Sequence, residues 1–263
     1  MRSEIHLVMV FALLVGIAPL QAEELNKPQQ AKSQVASARI ELGAGHPARA
    51  VELLLSASEL LPEWVVPREW LALAYQRQGE KDKALAEYAW LQRKTYNFDP
   101  YGRSNPPESK ELIISAEALT MWLINETRRQ QDLAFLRCEP QLSVVARGHS
   151  LEMATLGYFS HESPTPGLCQ SVDRFRNVFN FVPGVLAENI ARRWGSSPCL
   201  NLENIARTHE DFLGSPGHRA NILSADVECM GVGVAANAQG AYWVTEVFAR
   251  FSTTPPPDGT WNN

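Results

Sequence analysis

MGVGVAANAQGAYWVTEVFAR, residues 230 to 250, decides the fold class. Val232 and Val234 alternate with glycines, Asn237 to Gly240 is a turn signal, and Tyr242, Val244 and Phe248 lie on the return. Alternation on either side of a short Asn- and Gly-containing turn predicts a β-hairpin. The Gly-Val-Gly is not a nucleotide loop, because no phosphate-binding helix follows it. Glycines inside a strand point instead to another backbone approaching closely. The segments before this hairpin read mostly as helices, so the chain is expected to be α+β.

Working backwards, SPGHRANIL (215–223) is a Ser-Pro-Gly turn running into a helix with an apolar face. A helix is expected before it, from Leu202 to about Leu213. Residues 160 to 200 look turn-rich and irregular. A helix follows Cys138-Glu139-Pro140 and runs to about Leu156, with Leu142, Val145, Ala146, Met153 and Leu156 among its apolar positions. A long helix from Glu111 to Gln131 presents Leu112, Ala116, Leu119, Trp122 and Leu123 at helical spacing.

Residues 31 to 96 repeat internally. Gly45 and Gly79 are 34 residues apart, as are Ala50 and Ala84, and Ala38 and Ala72. Each unit reads helix, turn, helix, with small residues where paired helices meet and Leu53, Leu54, Leu71, Tyr75 and Tyr88 filling between them. This pattern resembles the tetratricopeptide repeat. Two units are fewer than the three or so that usually bury a continuous core. The pair is therefore expected to pack against the rest of the chain, a partner or a copy of itself.

Leu7 to Leu20 is an apolar run too short to span a bilayer comfortably, followed by Gln21-Ala22 and the acidic Glu23-Glu24. It reads as a secretory signal peptide over residues 1–22, with an uncleaved anchor as the alternative, and it implies a secreted or periplasmic protein with no transmembrane span in the mature chain. The expected organisation continues with helical repeats at 23–96, a Pro-, Asn- and Ser-rich linker at 97–110, a main domain at 111–252 and a loose tail at 253–263. The formal net charge of −5 and the lack of a basic stripe argue against nucleic acid as a partner. Four cysteines in an exported chain suggest two disulfides. Of the three pairings, Cys169–Cys199 with Cys138–Cys229 is the one expected, and four buried free thiols are the alternative. No close Cys-x-x-Cys spacing suggests structural zinc.

Three polar stretches interrupt the apolar patterning: GYFSHESP with His161, LAENIA with Glu188, and SPGHRANIL with His218. An ionisable group in an apolar setting costs free energy unless its neighbours satisfy it. A histidine at a helix N-terminus is held neutral by the macrodipole, and neutral imidazole binds a divalent metal or accepts a proton. Together with INETRRQQDLAFL (124–136, including Asn125 and Arg128), LSVVARGHSLEMATLGYFSH (142–161) and MGVGVA (230–235), these stretches make residues 124 to 248 resemble the CAP superfamily. Its members are cysteine-rich secretory proteins, venom antigens and pathogenesis-related proteins, and the likeness is closest to bacterial secreted forms.

The resemblance implies an α-β-α sandwich with a small antiparallel sheet and an open cleft. It assigns His161, His218 and Glu188 to the cleft and puts Ser215 where other members carry a second acid, with Glu162 or Glu210 as stand-ins. His149 matches a position on the second helix outside the cleft set. Two imidazoles and a carboxylate could hold a zinc-like divalent ion, and no other cofactor is indicated. The expected function is an exported binding protein whose cleft takes an envelope glycan, lipid or peptide, with the helical repeats docking a partner. A metal-dependent envelope hydrolase is the alternative. A Ser-His-Glu arrangement through Ser160 or Ser215 has no nucleophile elbow to support it.

Overall fold

The computed structural model describes residues 18–99, 102–195 and 199–251. The signal-peptide reading falls almost wholly, and the tail at 253–263 wholly, outside the described residues. The chain divides into two compact units, the break falling between Pro67 and Arg68, inside the helical repeats.

In the first unit, α1 (Ala18–Gly43) and α2 (Pro47–Leu60) form a hairpin. Ala38, Ala50 and Ala57 are fully buried and let the two helices approach closely. The chain turns at Gly45, whose φ of 83° is open to glycine at little cost. The second hairpin, α3 (Val65–Gln78) and α4 (Lys81–Thr95), turns the same way at Gly79, with φ of 75°. The 34-residue interval thus returns the chain to the same backbone conformation.

The second unit is built around a four-stranded sheet of order β1-β3-β4-β2. Its strands are β1 (Arg137–Cys138), β2 (Val185–Arg193), β3 (Cys229–Ala236) and β4 (Tyr242–Arg250). β3 and β4 are the expected hairpin, closed by Asn237 N donating to Ala241 O at 3.0 Å. The sheet is mixed rather than wholly antiparallel, because β1 runs parallel to β3. Helix α6 (Pro140–Leu156) and the short α7 (Ser171–Phe179) cover one face. There Leu142, Val145 and Phe175 meet Val247 and Ala249. Helices α5 (Lys110–Arg129), α8 (Leu202–Gly214) and α9 (Pro216–Ile222) complete the set. Thr208 of α8 reaches the other face, 2.8 Å from the Tyr242 hydroxyl.

Gly231 and Gly233 explain the glycine-rich strand. A Cβ on Gly231 would lie 2.2 Å from the Leu142 backbone, and one on Gly233 would lie 2.0 Å from Arg147 N. Helix α6 rests directly on the β3 backbone, so only glycine fits at these two positions.

The region read as irregular, 160 to 200, contains α7 and β2. The α7 apolar face of Phe175, Val178 and Phe179 packs into the core, the Phe175 and Phe179 rings stacking at 4.3 Å. The Gln170/Asp173 capping box starts the helix. The stretch read as a linker is tied to the sheet, because Asn105 receives Ala236 N at 2.9 Å and donates to Val234 O.

The second hairpin is anchored to this unit by buried polar groups. Arg147 donates to Glu117 at 2.7 and 2.9 Å, to Gln92 Oε1 and to Thr95 O. Asn125 donates to the Tyr88 hydroxyl and to Leu136 O.

The expected disulfides are not formed: all four cysteines are free thiols. In the β1–β3 register Cys138 faces Met230 while Cys229 faces Arg137. The Cys138 and Cys229 side chains therefore lie on opposite faces of the sheet. Cys138 Sγ receives Gln92, whereas Cys229 Sγ receives Arg137. Cys169 is exposed and Cys199 half-buried.

Candidate functional site

Glu188 lies at the centre of the cluster. It sits on β2, an edge strand, and its side chain is only 4% exposed. A carboxylate this buried needs charged partners. Arg174 of α7 supplies one, its Nη2 at 2.7 and 2.9 Å from the two oxygens. His161 adds a hydrogen-bond contact, Nδ1 at 2.9 Å from Oε1, while leaving its ring 53% exposed. Burial alone would raise the Glu188 pKa. The His161 hydrogen bond and the Arg174 charge outweigh it, and the pKa falls below the usual carboxylate value.

His218 comes from the other side of the strand. It lies in the first turn of α9, whose Pro216 at the start accounts for the Ser-Pro-Gly signal. Asn189, the neighbour of Glu188, donates to His218 O at 3.2 Å, and Asn221 of α9 donates to Asn189 Oδ1 at 2.8 Å and to Glu188 O at 3.3 Å. Arg128 fixes the other end of α9, donating to Ile222 O and Ser224 O at 2.8 Å. The His218 ring packs edge-on against Phe212 at 5.0 Å. Burial first, and then the charge of His161, lower its pKa.

Ser215 ends α8 and begins α9, half-buried, and its side chain caps neither helix. Its backbone N donates to Phe212 O, and it makes no hydrogen bond to His161, Glu188 or His218. The stand-ins go elsewhere: Glu162 receives Gln170, and Glu210 is exposed on α8. Ser160 Oγ accepts from Glu162 N, so it is held in a turn.

His149, read as lying outside the cleft, reaches the same carboxylate. It is fully buried, with Nε2 donating to Ser160 O at 3.0 Å and lying 3.9 Å from Glu188 Oε1. Its Nδ1 is 3.7 Å from Glu152, which also receives Tyr158 and Thr165. Arg174 was not anticipated either. Its signal was a charge beside Phe175 on the apolar face of a short amphipathic helix, inside a stretch read as irregular. A third unanticipated group is Glu246 of β4, directly opposite Asn189 in the ladder. It is completely buried, takes one hydrogen bond from Asn189 at 2.9 Å, and leaves Oε1 unpartnered. Burial pushes its pKa up to about 8.

These residues fit a divalent ion poorly. Among the described residues no group of three or more His, Cys, Asp and Glu side chains is arranged to share one. Glu188 already has its charge matched by a guanidinium, which leaves two imidazoles as donors. What the arrangement does provide is an ionised, immobile carboxylate behind an exposed imidazole, beside a second ring held neutral.

Residues 121–248 match CAP, the cysteine-rich secretory protein family. The uncharacterized protein YkwD of Bacillus subtilis is 29% identical over 149 residues, covering 56% of this chain and 53% of YkwD. The uncharacterized membrane protein YlbC of the same organism is 31% identical over 125 residues, covering 48% and 33%. The chain thus spans about half, or less, of the length of these relatives. An extracellular SCP-domain protein from Bacillus anthracis is similar in structure, with a TM-score of 0.45 and 29% identity, covering 57% of this chain and 45% of that one. Residues 121–248 are thus a domain of the cysteine-rich secretory protein (CAP) family.

Proposed function

We propose that the hollow around His161, Glu188 and His218 is a ligand-binding cleft of an exported protein. The observation that carries this is the treatment of Glu188: one buried carboxylate is held ionised by Arg174 and His161, yet the His161 ring remains open to solvent. Preorganised polar groups at the mouth of a cleft orient a ligand without having to move first. His218, kept neutral, can accept or donate one hydrogen bond to the same ligand.

Among the described residues neither the Ser160 nor the Ser215 hydroxyl is hydrogen-bonded to His161 or His218. Ser160 is held in its turn and Ser215 makes no hydrogen bond to either imidazole, which favours binding over serine-based hydrolysis. Export is supported by the apolar leader at 7–20, and no helix among the described residues is long and apolar enough to cross a membrane. The two helical hairpins, with their shared left-handed turn at Gly45 and Gly79, support the tetratricopeptide-type reading and supply a surface for a protein partner.

The test is NMR of the imidazole signals of the full exported chain, titrated in turn with a glycan oligomer, a phospholipid vesicle and a short peptide. The His161 and His218 signals should move together with one of the three. Failure of all three to move either ring would overturn the cleft, and turnover of any of them would replace binding by catalysis.

A further inference from the structure

Outside the histidine cluster, a second group of exposed and half-buried side chains gathers around the end of β2. Glu188, Ile190 and Arg192 alternate onto one face of the strand. Ile190 packs there with Met153 and Trp243, with Tyr158 against them, which gives a firm base. Above that base the Arg192 guanidinium lies between two rings. Its Cζ is 5.4 Å from the Phe159 ring centre and 4.7 Å from that of Trp194. Both rings are open to solvent, Trp194 at 70% and Phe159 at 44%. Solvent-exposed rings beside a cation offer stacking faces to a ligand. Among the described residues the Arg192 side chain makes no ion pair and no hydrogen bond, and its Nε is buried without a partner. The cation is oriented by the two rings but not neutralised.

The group adjoins the cleft. Phe159 is two residues from His161, just past the end of α6, and Arg192 lies four residues from Glu188 on the same face of the same strand. A strand rise of about 3.3 Å per residue puts Arg192 about 13 Å from Glu188. That span suits a ligand of two or three sugar rings.

We propose that Phe159, Arg192 and Trp194 form an acidic-saccharide subsite continuous with the cleft. The rings would stack on the C–H faces of sugar units, and Arg192 would pair with a carboxylate carried by one of them. This names the ligand class of the cleft and rests on the cleft being a binding site. Charge and surface character select the occupant. A lipid surface would call for a broad apolar patch with a polybasic cluster, and this chain has two separate rings, one arginine between them and a formal net charge of −5. A flat, hydroxylated, carboxylate-bearing ring matches stacking faces, an unpaired guanidinium and an exposed imidazole in one row.

The experiment is calorimetric titration of the full exported chain with a soluble oligosaccharide of alternating N-acetylglucosamine and N-acetylmuramic acid. The neutral N-acetylglucosamine oligomer of equal length, sodium lactate and a short acidic peptide serve as comparison probes. The acidic oligosaccharide should bind. Trp194→Ala should weaken it by about tenfold or more, the usual penalty for truncating an aromatic anchor. Arg192→Gln should reduce it to the level of the neutral oligomer. Circular dichroism melts of the variants should stay close to wild type, since Trp194 is exposed and the half-buried Arg192 makes no hydrogen bond or ion pair among the described residues. Equal affinity for acidic and neutral oligomers, binding of lactate or the peptide alone, or binding unchanged by both substitutions would overturn the subsite. His161→Ala/His218→Ala separates the two ideas. Binding that survives it but not Trp194→Ala keeps the saccharide platform and removes the cleft, whereas a cleft that responds to other ligands but to no saccharide removes only the platform.

Discussion

Replacing Glu246 by glutamine should change how stability depends on pH. Glu246 is completely buried on β4, with one hydrogen bond from Asn189 and one oxygen unpartnered. Its pKa is pushed from 4.5 to about 8. The folded chain therefore keeps this proton between pH 4.5 and about 8, while the unfolded chain gives it up. Stability from this group is fully present below pH 4.5 and is lost as pH rises towards 8, at about 1.4 kcal/mol per pH unit. From pH 5.5 to 7.5 the loss amounts to about 2.7 kcal/mol, and glutamine, which cannot ionise, removes it. Urea unfolding of wild type and Glu246→Gln at half-unit steps over that range measures the difference, and other titrating groups cancel because both proteins share them. The variant should gain on wild type steadily as pH rises. Parallel curves would refute the reasoning and mean that Glu246 is charged or hydrated in the folded chain.

Other substitutions test the framework that holds the cleft. Arg147→Met leaves Glu117 buried without its guanidinium and should cost about 3–5 kcal/mol by chemical denaturation, with Glu117→Leu in the same chain restoring much of it. Gly233→Ala drives a methyl into the α6 backbone and should cost about 3 kcal/mol or more, or prevent folding, as judged by melting and soluble yield. Mass spectrometry of the denatured, alkylated chain should find Cys138 and Cys229 as free thiols, and a bridge between them would contradict the strand register. Calorimetric titration with Zn²⁺ should show no tight, saturable heat, whereas heat abolished in His161→Ala/His218→Ala would show that the imidazoles suffice as donors.

Much of the sandwich was legible because its signals are local. Apolar spacing in 111–131 and 140–156, the Asn237–Gly240 turn and the paired glycines of β3 each report a contact that the residues themselves require. The segment 160–200 was harder. The β2 sequence VLAENIARR places charged or polar residues on both faces, so no alternation survives. Yet the strand is an edge, with Glu188 on one side of the sheet and Asn189 on the other serving different helices. The nine residues of α7 did carry a visible apolar face in Phe175, Val178 and Phe179. Glycine- and proline-rich flanks drew attention away from it, and the partner of Glu188 was missed with it. Spacing cannot reveal that Arg174, His149 and His161 converge on one carboxylate, because they come from three separate segments brought together by α6, α7 and the turn between them. The cysteines misled for a related reason: an even count says nothing about which face of a strand each thiol occupies.

The central claim is that His161 and His218, from opposite sides of β2, face one hollow with Glu188 between their elements. The most direct measurement is the NMR pH titration of the His218 imidazole in wild type and in His161→Ala. The structure predicts a His218 pKa below the ordinary histidine value, rising when the His161 ring is removed, because the charge of His161 is one cause of the depression. A His218 titration that is identical in the two proteins would place the rings in separate environments and contradict the shared cleft.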